Sequence, residues 1–543
     1  MTSPKTRRAY HALAVAALAG ATVAATAVPG YPQSSPSADQ APAITLPKGT
    51  PAGTTVLTAP SEPGTPALPG PVAAPAQPSA NMGILSVTPD QGVAGTPVTV
   101  SGSKLVPGSQ VALTWSTASA TWMVQAEPDT VNYLGRANNE FAVDVASATV
   151  GADGRFRVAL KAPQDFGGVH DIYAVTSGQE VAHGGFLLMR TVTVTPRSGP
   201  VGTPITITYS GLGPSLYTGG ASLLYDNHYV GELMANWTRG TAQAVIRASG
   251  PVGRHVIQIG NAIRYLYLNV PQSPIPYTNG ATVTFSVTKD DGAPAPQVDW
   301  PVSVAPTLSA RTTLQATGLD AGSAVVPSLS VDRGQVGTPV HVTATGLASD
   351  APVQLVWSTV VGNRVDCAST CWAFASTSLG SATPVSGSLS ADVKAPDGLG
   401  GWHVVQLEQS GKVLGQVPFY LEESIVGQGV SSLVVKEGQD FTVHLKGVGW
   451  TQLDNTVGVD YDNSYVGYGC GFNSNGDVLI HLHATGGPGT HLIDMYPMLY
   501  SLSPSFASTP YGMVPVLTYA HDDPGLALGY RLPALRLAIT VVK

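Results

Sequence analysis

The sequence predicts an all-β protein: a tandem array of antiparallel β-sandwiches, arranged as a two-sandwich cassette written twice. Three observations lead there. The heptapeptide YDNHYVG at 225–231 returns as YDNSYVG at 461–467, with only His228 changed to Ser464. Apolar residues alternate with small polar ones, as in VALTW, where Val111, Leu113 and Trp115 share one side, and TPITITYSG, where Ile205, Ile207 and Tyr209 do. Charged residues make up only 11% of the chain against 43% apolar, well below the roughly 25% charged residues of ordinary soluble domains. Surfaces built from Thr, Ser, Asn and Gly suit twisted sheets better than helices.

In chain order, a basic stretch with Lys5, Arg7 and Arg8 precedes the Ala-rich run ALAVAALAGATVAATAV, closing on Ala25-Thr26-Ala27. This predicts a secretory signal peptide over 1–27, hence a secreted, extracellular or cell-wall-associated protein. Thr6-Arg7-Arg8 leaves the twin-arginine route open beside the general one. No later apolar run approaches the roughly 18 residues of a membrane span, so no transmembrane segment is expected. Residues 28–82 hold 13 prolines among Ala, Ser, Gly and Thr and predict a disordered, semi-rigid tether.

At 543 residues the chain exceeds one hydrophobic core, for which roughly three to five domains is the prior. The repeats set the number. VALTWST at 111–117 matches VQLVWST at 353–359; LKAPQDFGGVH at 160–170 matches VKAPDGLGGWH at 393–403; ASGPVGRH at 248–255 matches ATGGPGTH at 484–491. Offsets of 242, 233 and 236 preserve order and spacing, so a whole cassette is duplicated. Strand runs between Gly/Pro/Asn/Asp turns give four sandwiches: 83–191, 192–325 with a C-terminal extension, 326–425 and 426–543.

Their opening segments carry a resemblance. ILSVTPDQGVAGTPVTVSGSKL (84–105) and VTVTPRSGPVGTPITITYSGL (192–212) show a strand, a Pro-x-x-Gly turn, Gly-Thr-Pro and a second strand ending in Gly. They resemble the opening strands of immunoglobulin-like IPT/TIG domains. SLSVDRGQVGTPVHVTATGL (328–347) has Asp332 where the first Pro stands, and SSLVVKEGQDFTVHLKGVGW (431–450) keeps only the outline. The resemblance implies a binding or spacer module of immunoglobulin-like sandwiches and brings no catalytic residues. The YDN, FGG and GxH segments are also similar to stretches of exported actinobacterial proteins, which lend no function.

Candidate sites follow from residue type and setting. YDNHYVG predicts a hairpin with Asp226-Asn227 at its tip and Tyr225 facing Tyr229 across the ladder. Alternatively Tyr225, Asp226, Asn227 and Tyr229, with Tyr461, Asp462, Asn463 and Tyr465 in the second copy, form paired recognition edges for sugars. Trp115 and Trp357 fall in phase with core residues, whereas Trp122 and Trp372 follow in segments of unequal length, where divergent loops would carry ligand specificity. His170, His403, His255 and His491 precede alternating strands and read as hydrogen-bonded corners. His481 and His483, at strand spacing, are the weak metal candidates. Asp290-Asp291 and Asp522-Asp523 read as turn makers with a calcium alternative, and Asn473, Asn475 and Asp477 as a hairpin turn. Cys367 and Cys371 are disulfide candidates in an exported chain, and Cys470 a buried free thiol.

The formal charge is −8, and becomes −11 once Lys5, Arg7 and Arg8 leave with the signal peptide. With no basic stripe, nucleic acid is excluded as a partner. No G-x-S-x-G, H-E-x-x-H or phosphate-binding loop occurs. The expectation is a non-enzymatic module without a cofactor that binds a cell-wall glycan or surface protein, its oligomeric state left open. A structural envelope spacer is the alternative, and a carbohydrate-active enzyme the second alternative.

Overall fold

The computed structural model describes residues 46, 53–57, 66–127, 130–214, 219–261, 272, 280–301, 318–348, 350–362, 372–427, 433–499 and 514–543. Each sandwich pairs a three-stranded sheet with a larger one. In the second, Thr191–Thr195, Pro204–Ser210 and Thr241–Arg247 face the five strands Ser198–Gly199, Ala281–Val287, Gly253–Asn261, Gly220–Tyr225 and His228–Met234. The third repeats this with Val326–Leu329, Pro339–Thr345 and Ser388–Lys394 against a sheet running from Arg333–Gly334 to Trp372–Ala382. The first and fourth share the plan with added strands.

The plan explains the opening motif. The first strand pairs antiparallel in the small sheet, breaks at the Pro-x-x-Gly turn, and resumes parallel to the last strand of the other sheet, as Thr191–Thr195 and Ser198–Gly199 do. This strand switch is an immunoglobulin-like feature. Gly92, Gly199 and Gly334 have no room for a Cβ because the Thr of Gly-Thr-Pro sits against them.

The cores are those the alternation predicts. Trp115 is buried with Val111, Leu113 and Phe186, and Trp357 with Leu355, Leu407 and Phe419. Two expectations are corrected. The tether is not disordered throughout: Thr54–Leu57 pairs with the Trp122 end of strand Gln110–Glu127, and Gln77–Ile84 runs parallel to Gln179–Leu188. Proline does not prevent this, because these are edge additions that need only alternate donors. Part of the extension of the second sandwich is also not its own: Gln297–Asp299 pairs with Ala534–Val542 of the fourth. The signal peptide expected over 1–27 lies outside the described residues.

Inside each cassette the sandwiches meet through a contact repeated in both copies. Gly167 N donates to Leu212 O at 2.9 Å, and Gly400 N to Val448 O at 3.0 Å. A Cβ on either glycine would overlap the carbonyl of Gly211 or Gly447, which gives the double glycine of FGGVH and LGGWH its reason. Between cassettes, the second and fourth sandwiches share one apolar core, with Leu223 and Tyr225 from one and Leu492, Tyr496 and Ala538 from the other. Among the described residues no helix is long and apolar enough to cross a membrane.

Candidate functional site

The repeated heptapeptide forms a corner. Asp226 and Asn227 have φ of 49° and 67°, Asp462 and Asn463 of 51° and 59°, the left-handed pair a two-residue hairpin turn demands. Asp226 accepts from Val256 N at 2.8 Å and bonds His255 Nδ1 at 2.5 Å, and Tyr225 OH donates to Ser249 O at 2.9 Å. Asp462, His491 and Tyr461 repeat this with Leu492 N and Thr485 O. The tyrosine and the imidazole are stacked in both copies. Tyr225, Asp226, Tyr461 and Asp462 are thus occupied within the fold.

The register corrects the tyrosine pairing. A two-residue turn sets Tyr225 opposite His228 and Tyr229 opposite Leu224, so the two tyrosines leave the sheet on opposite faces. Tyr229 instead meets Tyr465 of the other copy, ring centroids 6.1 Å apart at 86°. The two Asn differ as well. Asn227 is exposed, whereas Asn463 is 3% exposed and donates to Arg247 O at 2.7 Å and Ser249 Oγ at 2.8 Å in the second sandwich. Around this contact Asp494 is held by Arg247 at 2.6 Å and Arg536 at 3.3 Å, and Arg536 also donates to Val245 O at 2.9 Å.

Trp122 is not in a loop. It lies in strand Gln110–Glu127, whose partner Thr130–Thr149 makes a hairpin long enough to touch the fourth sandwich, where Gln452 Oε1 accepts from Tyr133 N at 3.0 Å. The unequal segment is therefore extended sheet. Trp122 is 0% exposed, packed with Leu57, Tyr133, Trp237, Tyr420, Leu453 and Tyr530. All four sandwiches contribute to this hub, and a buried indole does not present itself to a ligand.

Asp522 and Asp523 line the hub instead of an exposed turn. Asp522 accepts from Asn236 N at 2.7 Å and Trp237 N at 2.8 Å, and Asp523 caps the short helix Pro524–Ala527. Burial pushes both carboxyls, and that of Asp454 beside them, up to about 7. Burial also raises Glu423 well above the carboxylate range. Sequence reasoning missed this cluster because its members are turn-type residues with no periodic signal.

The remaining candidates resolve one by one. His170 and His403 stack on Trp115 and Trp357 at 4.3 and 4.5 Å and bond main-chain oxygens, and burial drops His403 to about 4. His481 pairs with Thr442 and His483 with Asp440, and no group of three or more His, Cys, Asp or Glu among the described residues is arranged to hold a metal. Asp290 accepts from Thr490 Oγ1 and N at 2.6 and 2.8 Å, tying the second sandwich to the fourth. Asn473, Asn475 and Asp477 lie in or beside a turn. Cys470 is a free thiol, partly buried, while Cys367 and Cys371 lie outside the described residues.

One accessible cluster is aromatic. Trp372 and Phe374 leave one face of strand Trp372–Ala382, with rings 5.3 Å apart, and Trp372 rests on Trp450 at 5.5 Å. Cys470 joins the same cluster. From it the edge strand Ser464–Cys470 carries Tyr468 and Tyr465 on one face, opposite Gly458 and Asp460. Five residues of strand run about 16 Å. Phe374 is 51% and Tyr468 50% exposed. The row thus crosses from the third sandwich over the fourth to Tyr229 of the second.

No protein-family model matches the chain, and none of the curated proteins compared with it is similar. Among solved structures it is similar to native E. coli alpha-2-macroglobulin (9% identity, 90% of this chain and 32% of that one, TM-score 0.16). The ICAM-5 D1–D4 ectodomain fragment follows (12%, 84% and 99%, 0.17), then a Salmonella alpha-2-macroglobulin mutant (10%, 90% and 32%, 0.15). The chain spans about a third of the macroglobulins' length. At these TM-scores the backbones do not superpose as wholes, and the fold stands on the sheet orders given above.

Proposed function

We propose that the protein is an exported, non-enzymatic binding module of the cell envelope or extracellular space, and that the row Phe374, Trp372, Tyr468 is where it grips a glycan. One observation supports this most. Carrying the ladder over from Trp115 opposite Val143 to Trp357 opposite Thr377, the first-cassette matches of Trp372 and Phe374 are Asn138 and Glu140; the match of Tyr468 is Glu232. Aromatics therefore replace polar residues at three positions in one copy only. Aromatic rings gathered on one surface suit the apolar faces of sugars, and a fused four-sandwich block presents them at little entropic cost on binding.

Cosedimentation of the full chain with Gram-positive cell walls tests the reading, beside Phe374→Ala, Tyr468→Ala and the double variant. Saturable pelleting that falls with each substitution and vanishes in the double variant is expected. Pelleting unchanged in the double variant rejects the row as the site, and absence of pelleting favours the spacer, a reading the buried hub also supports.

A further inference from the structure

The first and third sandwiches end their larger sheets differently. In the first, edge strand Thr130–Thr149 carries Arg136, Glu140 and Asp144 and is covered by the tether. Asp144 N donates to Pro71 O and Ala73 N to Ala142 O, both at 2.9 Å, with Val72 antiparallel to Val143. In the third, edge strand Trp372–Ala382 reads WAFASTSLGSA, with no charge and no proline, and among the described residues nothing pairs with its outer side. Charges, prolines and covering segments are how sheets avoid adding foreign strands. Among the described residues this edge has none of them.

The ladders identify the matching atoms. Val143 opposes Trp115 and Thr377 opposes Trp357, so Ala142 O corresponds to Ser376 O, and Asp144 N to Ser378 N. The segment that fits is known from the first sandwich: Gly70-Pro71-Val72-Ala73 gives one carbonyl and one N–H, two residues apart, and asks nothing of the proline nitrogen. Proline holds the segment extended beforehand, which lowers the cost of ordering it.

We propose that the outer edge of strand Trp372–Ala382 is a strand-addition site for an extended, uncharged peptide of the pattern Pro-Val-Ala. It pairs antiparallel, with its proline carbonyl on Ser378 N and the N–H two residues later on Ser376 O. The central Val lies beside Thr377, a β-branched cross-strand pair. The site is the edge of the sheet, not the face that bears Phe374, so it stands or falls separately from glycan binding.

The test uses the full chain and a synthetic peptide of residues 68–76, LPGPVAAPA, followed by fluorescence anisotropy and by amide hydrogen exchange at Ser378. The expected result is fast exchange at Ser378 without peptide, slowed by it, and saturable binding weakened about tenfold in Ser378→Pro, which deletes one backbone donor. Phe374→Ala, which impairs the glycan row, leaves peptide binding unchanged. Three results overturn the proposal: Ser378 already protected in the free chain, no saturable binding at millimolar peptide, or equal binding by Ser378→Pro. Should that variant fail to fold, exchange at Ser378 in the unaltered chain still decides.

Discussion

The two cassettes agree at the heptapeptide corners and at the junction glycines, and disagree where side chains meet solvent, the other cassette or the rest of the junction. Asp226 and Asp462 clamp their histidines alike, and Gly167 and Gly400 dock their neighbours alike. By contrast Asn227 is exposed where Asn463 is buried, and Glu140 stands where Phe374 does. The junctions diverge beside their shared glycines as well: Asp165 and Arg239 form a buried pair at 2.7 Å in the first cassette, where the second has Gly398 and Asn475. Sequence identity between copies thus marks scaffold, and function is to be sought in the differences.

The largest effect is expected at Arg536. Arg536→Met leaves Asp494 and Asp460 buried with one cation fewer, costing roughly 3–5 kcal/mol in urea unfolding. Its match in the second sandwich, exposed Thr282, faces Gln258 as Arg536 faces Asp494. Thr282→Met changes stability by less than about 0.5 kcal/mol. Comparable losses for the two would remove the contrast between a buried and an open sheet face.

Next come the junction glycines. Gly167→Ala and Gly400→Ala each force a methyl group onto a carbonyl and cost about 1–3 kcal/mol, read as matched drops in the urea midpoint. A loss in one variant only would show that the two junctions are not equivalent.

The hub acids give a pH dependence of definite sign. Folded Asp454, Asp522 and Asp523 titrate near 7 against an ordinary 3.8, so the folded chain holds more protons between these values. Their stabilising contribution is complete below about 4 and is lost as pH rises toward 7. The urea midpoint should therefore fall from pH 5 to pH 7, and less steeply in Asp523→Asn. A midpoint rising with pH, or an unchanged slope in the variant, contradicts protonated acids in the hub.

The smallest effect separates the twin asparagines. Glycine keeps the left-handed turn at both. Asn463→Gly loses two hydrogen bonds across the cassette interface, for about 1 kcal/mol or somewhat more, whereas Asn227→Gly is near neutral.

Strands, duplication and histidine corners were legible because each is local: period-two alternation, a repeated string, a Gly before a His. The tyrosine pairing was misread for want of one residue of register, which the hairpin turn alone decides. The hub was illegible. Leu57, Trp122, Trp237, Tyr420 and Tyr530 lie far apart in sequence and share no period, and Asp522-Asp523-Pro524 has the composition of an exposed turn. The row of Trp372, Phe374 and Tyr468 was half visible, since Trp372 stood out, but Phe374 and Tyr468 gain meaning only when two sandwiches are set side by side.

Scanning calorimetry of the full chain decides whether duplication has been consolidated into one block around a shared hub. A single transition is expected, with calorimetric and van't Hoff enthalpies in agreement, which independent domains would not give. Two or more resolved transitions, with one cassette melting while the other stays folded, would contradict it.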